Sequence, residues 1–518
     1  MTLKFRLKSF LRNDIFSKNV VGEISNDKII FTWSENDIEI NETYNVQDFI
    51  GAKEDIKNAD VVDAYFYLIN EKTSCRERLF IKMQAESLDQ KIELIKMFKS
   101  LIKIKQSPHM PKNTLVVSKN KYTVFVIINP FGGTQMARNQ WETEVKTIFD
   151  EADIIYTVYE TKCKLDATRV VNKLKIDKFD CIVVMGGDGM LSEVLNGILT
   201  RPDKERALKM PICHIPSGTC NAVASSICFQ ANEPFPPRDV FVKQAALMCV
   251  NPSYIPLRLS VVETKENGNI PMFLSATWGI IADIDIGSER FRWAGMLRLH
   301  IESYLRIFQL PSVANYEAII SYIPVEGYDR KKFKIRHVPS ERHLLGDDHF
   351  DYEEVKEWKF IESNNEEKNK ECLDDFFKKD NKLNIPSIDE TIPIDNKWVT
   401  YSEKVTTVSV IKLSHLGSDI PFLPCAKIDE DILYLCICKW EGMKNRFEMG
   451  FFLDDICRSN HLKYPFFDII PVKAARVEPI FRGNLGHFAV DGEPLKPGQI
   501  FQVRTLSKTA TLVTKKKV

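Results

Sequence analysis

With 518 residues the chain is too long for a single core and should fold as two or three domains. Hydrophobic residues make up 44% and charged residues 27%, the balance of a soluble globular protein. Lysine plus arginine equals aspartate plus glutamate at 71 each, which excludes a global field drawing the protein to nucleic acid or to an anionic membrane and leaves phosphate or lipid recognition to local groups. Twelve cysteines show neither zinc-site spacing nor a disulfide framework, so packed reduced thiols are expected; Cys436 and Cys438 share one face of a predicted strand. The first residues alternate charge with apolar groups and lack the apolar core of a signal peptide, and no run of ~18 apolar residues occurs anywhere, so a cytoplasmic protein without a membrane-spanning helix is expected.

Residues 1–108 read as a small strand-rich unit. Lys28 to Trp33, Asp60 to Ile69 and Leu79 to Met83 are short runs of β-branched and aromatic residues. One helix follows: Ser87 and Gln90 make a capping box, and Leu88, Ile92, Ile95, Phe98 and Ile102 form an apolar stripe before Pro108. Strands closed by one C-terminal helix, together with Asp48-Phe49-Ile50-Gly51-Ala52, resemble a pleckstrin-homology-like domain, which implies a docking module or one that binds phosphoinositides; a dense basic cluster is missing.

From Tyr122 strands alternate with helices: Val124 to Asn129, Ile154 to Glu160, Cys181 to Met185 and Ile212 to Ile215. Such alternation predicts a three-layer α/β lobe over 119–250 with a mostly parallel sheet, and ligands of such sheets bind beyond the carboxyl ends of the strands. Those ends carry Asn129-Pro130-Phe131-Gly132-Gly133, Thr161, Gly186 to Gly189, and Pro216 to Asn221, so four polar or glycine-rich loops should converge on one rim. Over 251–518 strand-like runs dominate (Leu257 to Glu263, Phe273 to Thr277, Val405 to Lys412, Leu433 to Lys439, Phe501 to Leu506) and predict a second, antiparallel β-sandwich lobe. Residues 330–395 are dense in Asp, Glu, Lys and Asn and read as a disordered insertion, because few apolar positions are there to offset ordering entropy.

The turn at Gly186-Gly187-Asp188-Gly189 stands out chemically. Its glycines let the backbone approach a ligand, the amides of Leu191 and Ser192 at the following helix start favour an anion, and Asp188 supplies a carboxylate for general-base work. No Gly-x-x-x-x-Gly-Lys-Ser/Thr motif occurs, so the glycine loops must cradle any nucleotide phosphates.

Four blocks together resemble the sphingosine kinases, within the diacylglycerol-kinase-like lipid kinases: Gly186 to Gly189 with Glu193 and Asn196; Pro216-Ser217-Gly218-Thr219-Cys220-Asn221-Ala222; Ser275 through Arg298; and Ala489-Val490-Asp491-Gly492-Glu493. The resemblance implies phosphoryl transfer from ATP, with Mg2+, to a sphingoid base such as sphingosine. Asp188 would be the base. Asn129, Pro130, Phe131, Thr161, Glu193, Gly218, Thr219, Cys220 and Asn221 would surround adenosine and phosphates, with Arg292 and Arg298 on the phosphates. Asp491, Gly492 and Glu493 would form the nucleotide and magnesium side, Asp491 and Glu493 as hard oxygen ligands, although Asp-Gly-Glu also suits a plain hairpin turn and the arginines near Glu289 a surface salt-bridge cluster.

Gly186, Gly187, Asp188, Gly189, Ser275 and Asp285 would meet the lipid head group. Asp285 facing the ammonium would make contacts worth ~1.5 to 3 kcal/mol each that ceramide and diacylglycerol lack. Asp283 could support the site or form a turn. The alkyl tail needs an apolar channel, which the β lobe and Met296 to Leu310 could supply, and Ile301, Tyr304 and Leu305, on one helical face, could touch a peripheral membrane surface or simply pack in a core. Phe131, Thr134 and Cys220 depart from the family pattern, which puts ATP affinity in question. Ceramide kinase, NAD kinase and a non-catalytic lipid-binding scaffold are the competing readings, and a homodimer is compatible with the sequence.

Overall fold

The computed structural model describes the chain apart from residues 1–2, 13–14, 71, 73–74, 103–106, 111–120, 134, 234–240, 295–296, 311–315, 330–376, 378–379, 382, 394–396, 481–484 and 516–518, and apart from the side chains of Ile15 and Arg292. Alternating apolar residues on β1 (Leu3–Arg12), with Phe5, Leu7 and Phe10 buried, start an antiparallel sheet. It continues through β2 (Ile15–Ile24), β3 (Lys28–Glu35), β4 (Ile38–Asn45), β5 (Phe49–Glu54), β6 (Val61–Asn70) and β7 (Cys75–Gln84) in the order β4-β3-β2-β1-β7-β6-β5.

Helix α1 (Leu88–Leu101) closes this sheet, with the Ser87 side chain accepting from the Gln90 amide at 3.2 Å. Gln90 Oε1 reaches back to the Glu86 amide, one residue earlier than a capping box requires. The buried face is Lys91, Leu94 and Phe98, whereas Leu88 and Ile92, placed on the stripe by spacing, are 58% and 47% exposed. Two apolar phases fit this helix, and the sheet it packs on selects the one through Leu94. The sheet docks to the rest of the chain through Ile50 and Tyr67, which enter the α/β core, and through buried Arg76, which bridges Asp48 at 2.7 Å and Glu233 at 2.9 Å.

Continuous apolar runs make β8 (Thr123–Ile128), β9 (Ile155–Glu160), β10 (Cys181–Gly186) and β11 (Pro211–Pro216), which pair in parallel in the order β9-β8-β10-β11. Helices α2 (Asp166–Lys173), α3 (Asp188–Leu199), α4 (Ala222–Gln230) and α5 (Phe241–Val250) accompany these strands. One apolar core joins Val124 to Ile128, Cys181 to Met185, Leu191, Val194 and Val223.

Past residue 250 come β12 (Ser253–Thr264), β13 (Gly268–Met272), β14 (Ser275–Gly279), α6 (Ile280–Ser288), α7 (Leu297–Gln309), β15 (Tyr316–Pro324), β16 (Val399–Ile411), β17 (Leu433–Lys439), α8 (Arg446–Asp455), β18 (Phe467–Ile480), β19 (Phe488–Val490), β20 (Glu493–Leu495) and β21 (Phe501–Thr514). These strands pair antiparallel. Each of the long strands β16 and β18 pairs with both β15 and β17, so the four close a circuit rather than two separate sheets.

The boundary near residue 250 fails for the last strand. β21 pairs antiparallel with β18 through Phe501 to Arg504, then parallel with β11 through Thr511 and Leu512, so one continuous sheet runs through both lobes. Residues 330–376 of the expected insertion lie outside the described residues, but its C-terminal part is packed, in contrast to the disorder expected from composition. Phe377 is fully buried in the α/β core. Buried Arg504 donates to the carbonyls of Phe377 and Asp380, and buried Arg476 to those of Pro386, Ser387 and Glu390. Guanidinium forks on distant strands hold backbone here, which is why a segment with few apolar side chains can be ordered.

Candidate active site

The strand ends of the α/β sheet bring the four expected loops together. After β8, Asn129 Oδ1 accepts the Phe131 amide at 3.0 Å, with Pro130 half-buried between them. After β9, Thr161 bonds the Ile128 carbonyl through its amide (2.9 Å) and its hydroxyl (3.3 Å). After β11, the Gly218 amide donates to Asn221 Oδ1 at 2.9 Å, and Asn221, at φ 58°, starts α4. Glycine contacts set the spacing between loops: a Cβ on Gly133 would stand 2.9 Å from the Gly218 Cα, and one on Gly218 2.3 Å from the Gly187 Cα. Three loops therefore lie backbone on backbone, and the N-terminus of α3 faces the cleft between them, a setting suited to phosphate.

Asp188 is the first residue of α3 and is buried. Its two oxygens accept the Ala222 amide at 2.8 Å and the Val223 amide at 3.0 Å, so the N-terminus of α4 holds the carboxylate still. Each oxygen keeps a second lone pair for a substrate hydroxyl. Beneath it, His214 Nε2 contacts the Gly186 carbonyl at 3.1 Å, and burial lowers the His214 pKa so that the imidazole stays neutral.

The opposite wall comes from the β lobe. Ser275 opens β14, and Asp285 lies on α6 after the Gly279 turn (φ 97°). Burial pushes the Asp285 carboxyl up, Arg298 pulls it down and Glu289 adds to the rise. Arg298, buried in the first turn of α7, pairs with Glu289, and its Nε has no hydrogen-bond partner. The Arg292 side chain lies outside the described residues. Asp283 is buried and structural: it accepts from the Tyr316 hydroxyl and, at 2.9 Å, from the His487 amide.

Both walls line a cleft of about 970 Å³ that reaches Asn129, Phe131, Thr161, Gly187, Asp188, Gly189, Glu193, Gly218, Thr219, Cys220, Ser275, Asp285, Arg298, Asp491, Gly492 and Glu493. Pro130, Gly186 and Asn221 support it without lining it. Glu193 has its carboxylate on the Leu165 amide (2.9 Å) and the Ala167 amide (3.2 Å), where it caps α2. Half-buried Cys220 has its thiol pushed up to about 12, chiefly by burial and then by Asp285 and Asp188.

An apolar arm of the cleft runs between α6, α7 and α8, lined by Ile281, Ile284, Leu299, Ile307, Leu416, Phe422, Leu453 and Ile456. The α8 wall and the loop at Leu416 to Phe422 escaped sequence reasoning. A signal for α8 existed: Asn445 accepts the Phe447 and Glu448 amides, and Glu448 reaches back to the Lys444 amide. On the outside of these helices Leu297, Leu305, Phe308, Phe447 and Phe451 are exposed; Tyr304, also exposed, lines the cleft, and Ile301 is half-buried.

Asp491 and Gly492 form the two-residue turn of the β19–β20 hairpin, with φ 50° and 83°, the positive pair that a type I′ turn requires. The Asp491 side chain faces inward. Oδ1 accepts the Leu274 and Ser275 amides at 2.9 Å each, and Oδ2 the Phe273 amide at 3.1 Å. Burial outweighs these bonds and pushes the carboxyl up to about 7. A buried carboxylate whose oxygens already accept three backbone amides does not fit Mg2+, which wants oxygens facing water and phosphate. Glu493 fits better: it faces solvent over Gly189 and pairs with Lys164 at 2.9 Å. Among the described residues no cluster of three or more His, Cys, Asp or Glu could hold a metal unaided.

The profile of the diacylglycerol kinase catalytic domain matches residues 123–244. The chain is 27% identical to sphingosine kinase 1 of Homo sapiens over 71% of its length and 85% of that protein. It is 26% identical to sphingoid long chain base kinase 4 of Schizosaccharomyces pombe over 76% of each. Sphingosine kinase 2 of Arabidopsis thaliana matches at 36% over 40% of this chain and 41% of that one.

Proposed function

Because the chain is a lipid kinase built on a diacylglycerol kinase catalytic domain, we propose that it is a sphingosine kinase, transferring the γ-phosphoryl group of ATP to the primary hydroxyl of sphingosine and related sphingoid bases to give the 1-phosphate. One observation carries the reading: a single cleft has the helix-held Asp188 on its nucleotide wall, Asp285 on its lipid wall, and an apolar arm leading away from both. The hydroxyl oxygen bonds to the γ-phosphorus as the bond to ADP breaks, and its proton passes to the Asp188 carboxylate, a role worth roughly 10²-fold to 10⁴-fold.

Arg298, with its unpartnered Nε, turns from Glu289 toward phosphate, while the amides at the start of α3 and the stacked glycine loops take the remaining oxygens. Asn129, Thr161, Thr219 and Cys220 border the nucleotide. Glu493 is the carboxylate that would hold Mg2+ beside the ATP phosphates, where the ion would neutralise phosphate charge. Asp285 receives the ammonium of the sphingoid base, Ser275 the head group beside it, and the arm between α6, α7 and α8 takes the tail.

The exposed Leu305 and Phe308 of α7 and Phe447 and Phe451 of α8 flank the arm's outer walls, which supports peripheral docking of a cytoplasmic enzyme on a bilayer. Among the described residues no helix is long and apolar enough to cross one. We read residues 1–108 as a pleckstrin-homology-like module on the strength of its strand order and closing helix.

Transfer of labelled phosphate from Mg·ATP to D-erythro-sphingosine, ceramide and diacylglycerol in mixed micelles tests the proposal, with Asp188→Asn and Asp285→Asn alongside. Selective sphingosine phosphorylation, lost in both variants, is expected. Equal activity on ceramide, or indifference to Asp285→Asn, would overturn the substrate assignment.

A further inference from the structure

The Asp491 carboxylate ties the β19–β20 hairpin to the start of β14, two elements that form the β-lobe wall of the cleft. Its side chain collects three consecutive amides, Phe273, Leu274 and Ser275, while its own amide donates back to the Ser275 carbonyl at 2.8 Å. Leu274 and Ser275 line the cleft on the lipid side, and Gly492 and Glu493, the next residues after Asp491, line it on the nucleotide side. Three of about four acceptor positions on the carboxylate are taken by amides, and the group is buried. One acceptor position is left, and it lies in a buried side chain whose other contacts are all backbone amides.

We infer that Asp491 is a positioning residue for the lipid head group, not a magnesium ligand: its carboxylate fixes where Ser275 and Leu274 stand and locks them to the turn that presents Glu493. This rests on the lipid-kinase cleft assigned above. The left-handed turn explains why the clamp is an aspartate. A side chain short enough to bond nearby backbone and able to sit at φ 50° is Asp or Asn, and the following Gly492 completes the hairpin. Asparagine preserves the turn and one acceptor oxygen but presents an NH2 group to the Phe273 amide, so Asp491→Asn should fold and break part of the clamp. Asp491→Ala should break all of it.

The test is a set of initial-rate titrations in mixed micelles, with sphingosine, ATP and Mg2+ varied separately for wild type, Asp491→Asn, Asp491→Ala and Glu493→Gln. Equilibrium binding of sphingosine is measured beside them with ATP and Mg2+ left out. Asp491→Asn is expected to raise the sphingosine KM roughly tenfold, about 1.4 kcal/mol, and Asp491→Ala to raise it further. Both should weaken sphingosine binding without nucleotide, and Asp491→Asn, which keeps the turn that presents Glu493, should leave half-saturating Mg2+ and the ATP KM within about twofold of wild type, against the tenfold step. Glu493→Gln should do the reverse.

A rise in half-saturating Mg2+ for Asp491→Asn with sphingosine KM unchanged would overturn the inference, as would no change in either. Loss of ATP saturation in Asp491→Asn would also overturn it, since the Asn-Gly turn keeps Glu493 in place. If wild type phosphorylates ceramide or diacylglycerol instead, the substrate assignment falls in that arm alone, and the clamp is judged with the lipid that reacts.

Discussion

Gly218 lies so close to Gly187 that a methyl group on it would stand 2.3 Å from the Gly187 Cα. Backbone, which cannot give way as a flexible side chain can, meets backbone there. Gly218→Ala must push the loops after β10 and β11 apart, at a cost of about 1 to 3 kcal/mol, and with them the glycine-loop amides and those at the start of α3. The expected outcome is a folded protein with kcat/KM for ATP lowered on the order of 100-fold, which corresponds to about 2.7 kcal/mol of misplaced phosphate contacts. Gly189→Ala is the comparison, because a Cβ there meets only Glu493 Oε1 at 3.7 Å. Steady-state kinetics on the two variants, with circular dichroism to verify folding, would separate cradle from scaffold.

Asp285 makes substrate binding depend on pH. Its carboxyl titrates above the usual carboxylate range because burial outweighs the attraction of Arg298. Below that raised value the group is neutral and loses its charge-assisted contact with the ammonium; above it the contact is present. The sphingosine KM should therefore rise as pH falls through the Asp285 pKa, and Asp285→Asn should flatten this limb of the profile. A profile unchanged by the substitution would remove Asp285 from the head-group site.

Cys220 stands in the cleft but should be inert. With its thiol pushed up to about 12, the thiolate fraction near pH 7 is on the order of 10⁻⁵. Iodoacetamide mapped by peptide mass spectrometry should mark the exposed Cys163 and Cys457 first, and Cys220→Ala should lose activity to the reagent at the wild-type rate. Protection of activity by Cys220→Ala would show that the thiol is reactive after all.

The packed segment around Phe377 should carry stability out of proportion to its composition. Phe377 is fully buried in the α/β core, while Arg504 on β21 holds its carbonyl. Phe377→Ala is expected to destabilise the protein by about 3 to 5 kcal/mol, read as a lowered thermal or denaturant midpoint. A midpoint within experimental error of wild type would show that the segment only rests on the surface.

Bilayer docking predicts a split between assay formats. Changing Phe308, Phe447 and Phe451 to Ser should reduce sedimentation with phosphatidylcholine–phosphatidylserine vesicles and turnover on vesicle-borne sphingosine, while turnover in detergent micelles stays near wild type. Equal loss in both formats would assign these side chains to the fold or the tail channel instead.

Much of the architecture was legible because its causes are local. The strands at Cys181 and Leu433, the helix capped at Ser87 and the turn at Asp188 each follow from a few neighbouring residues. The chain also shows where such reading stops. Spacing placed Leu88 and Ile92 inward on α1, yet they are exposed, because a helix whose apolar residues fit two phases takes its direction from the sheet beneath it. Asn445 and Glu448 announced α8 by the same capping signal as Ser87 and Gln90, and nothing in the local pattern said that its far side would wall a lipid-sized arm.

The parts of the candidate site that depend on turn chemistry, namely the glycine loops, Asp188 and the Asp491-Gly492 hairpin, could be read from residue order alone. Pairings across the chain could not. Asp491 meets the Leu274 amide from 217 residues away, and Glu493 meets Lys164 from 329. Whether a carboxylate faces a metal, an amide or a lysine is settled by which strands the topology lays side by side, and here β14 beside β19, with β21 joining the two lobes, turns Asp491 inward and leaves Glu493 in the cleft. Local sequence sets the conformations a segment can adopt; long-range burial and hydrogen bonding choose the partners, because a buried carboxylate must be satisfied by whatever donors the completed fold supplies.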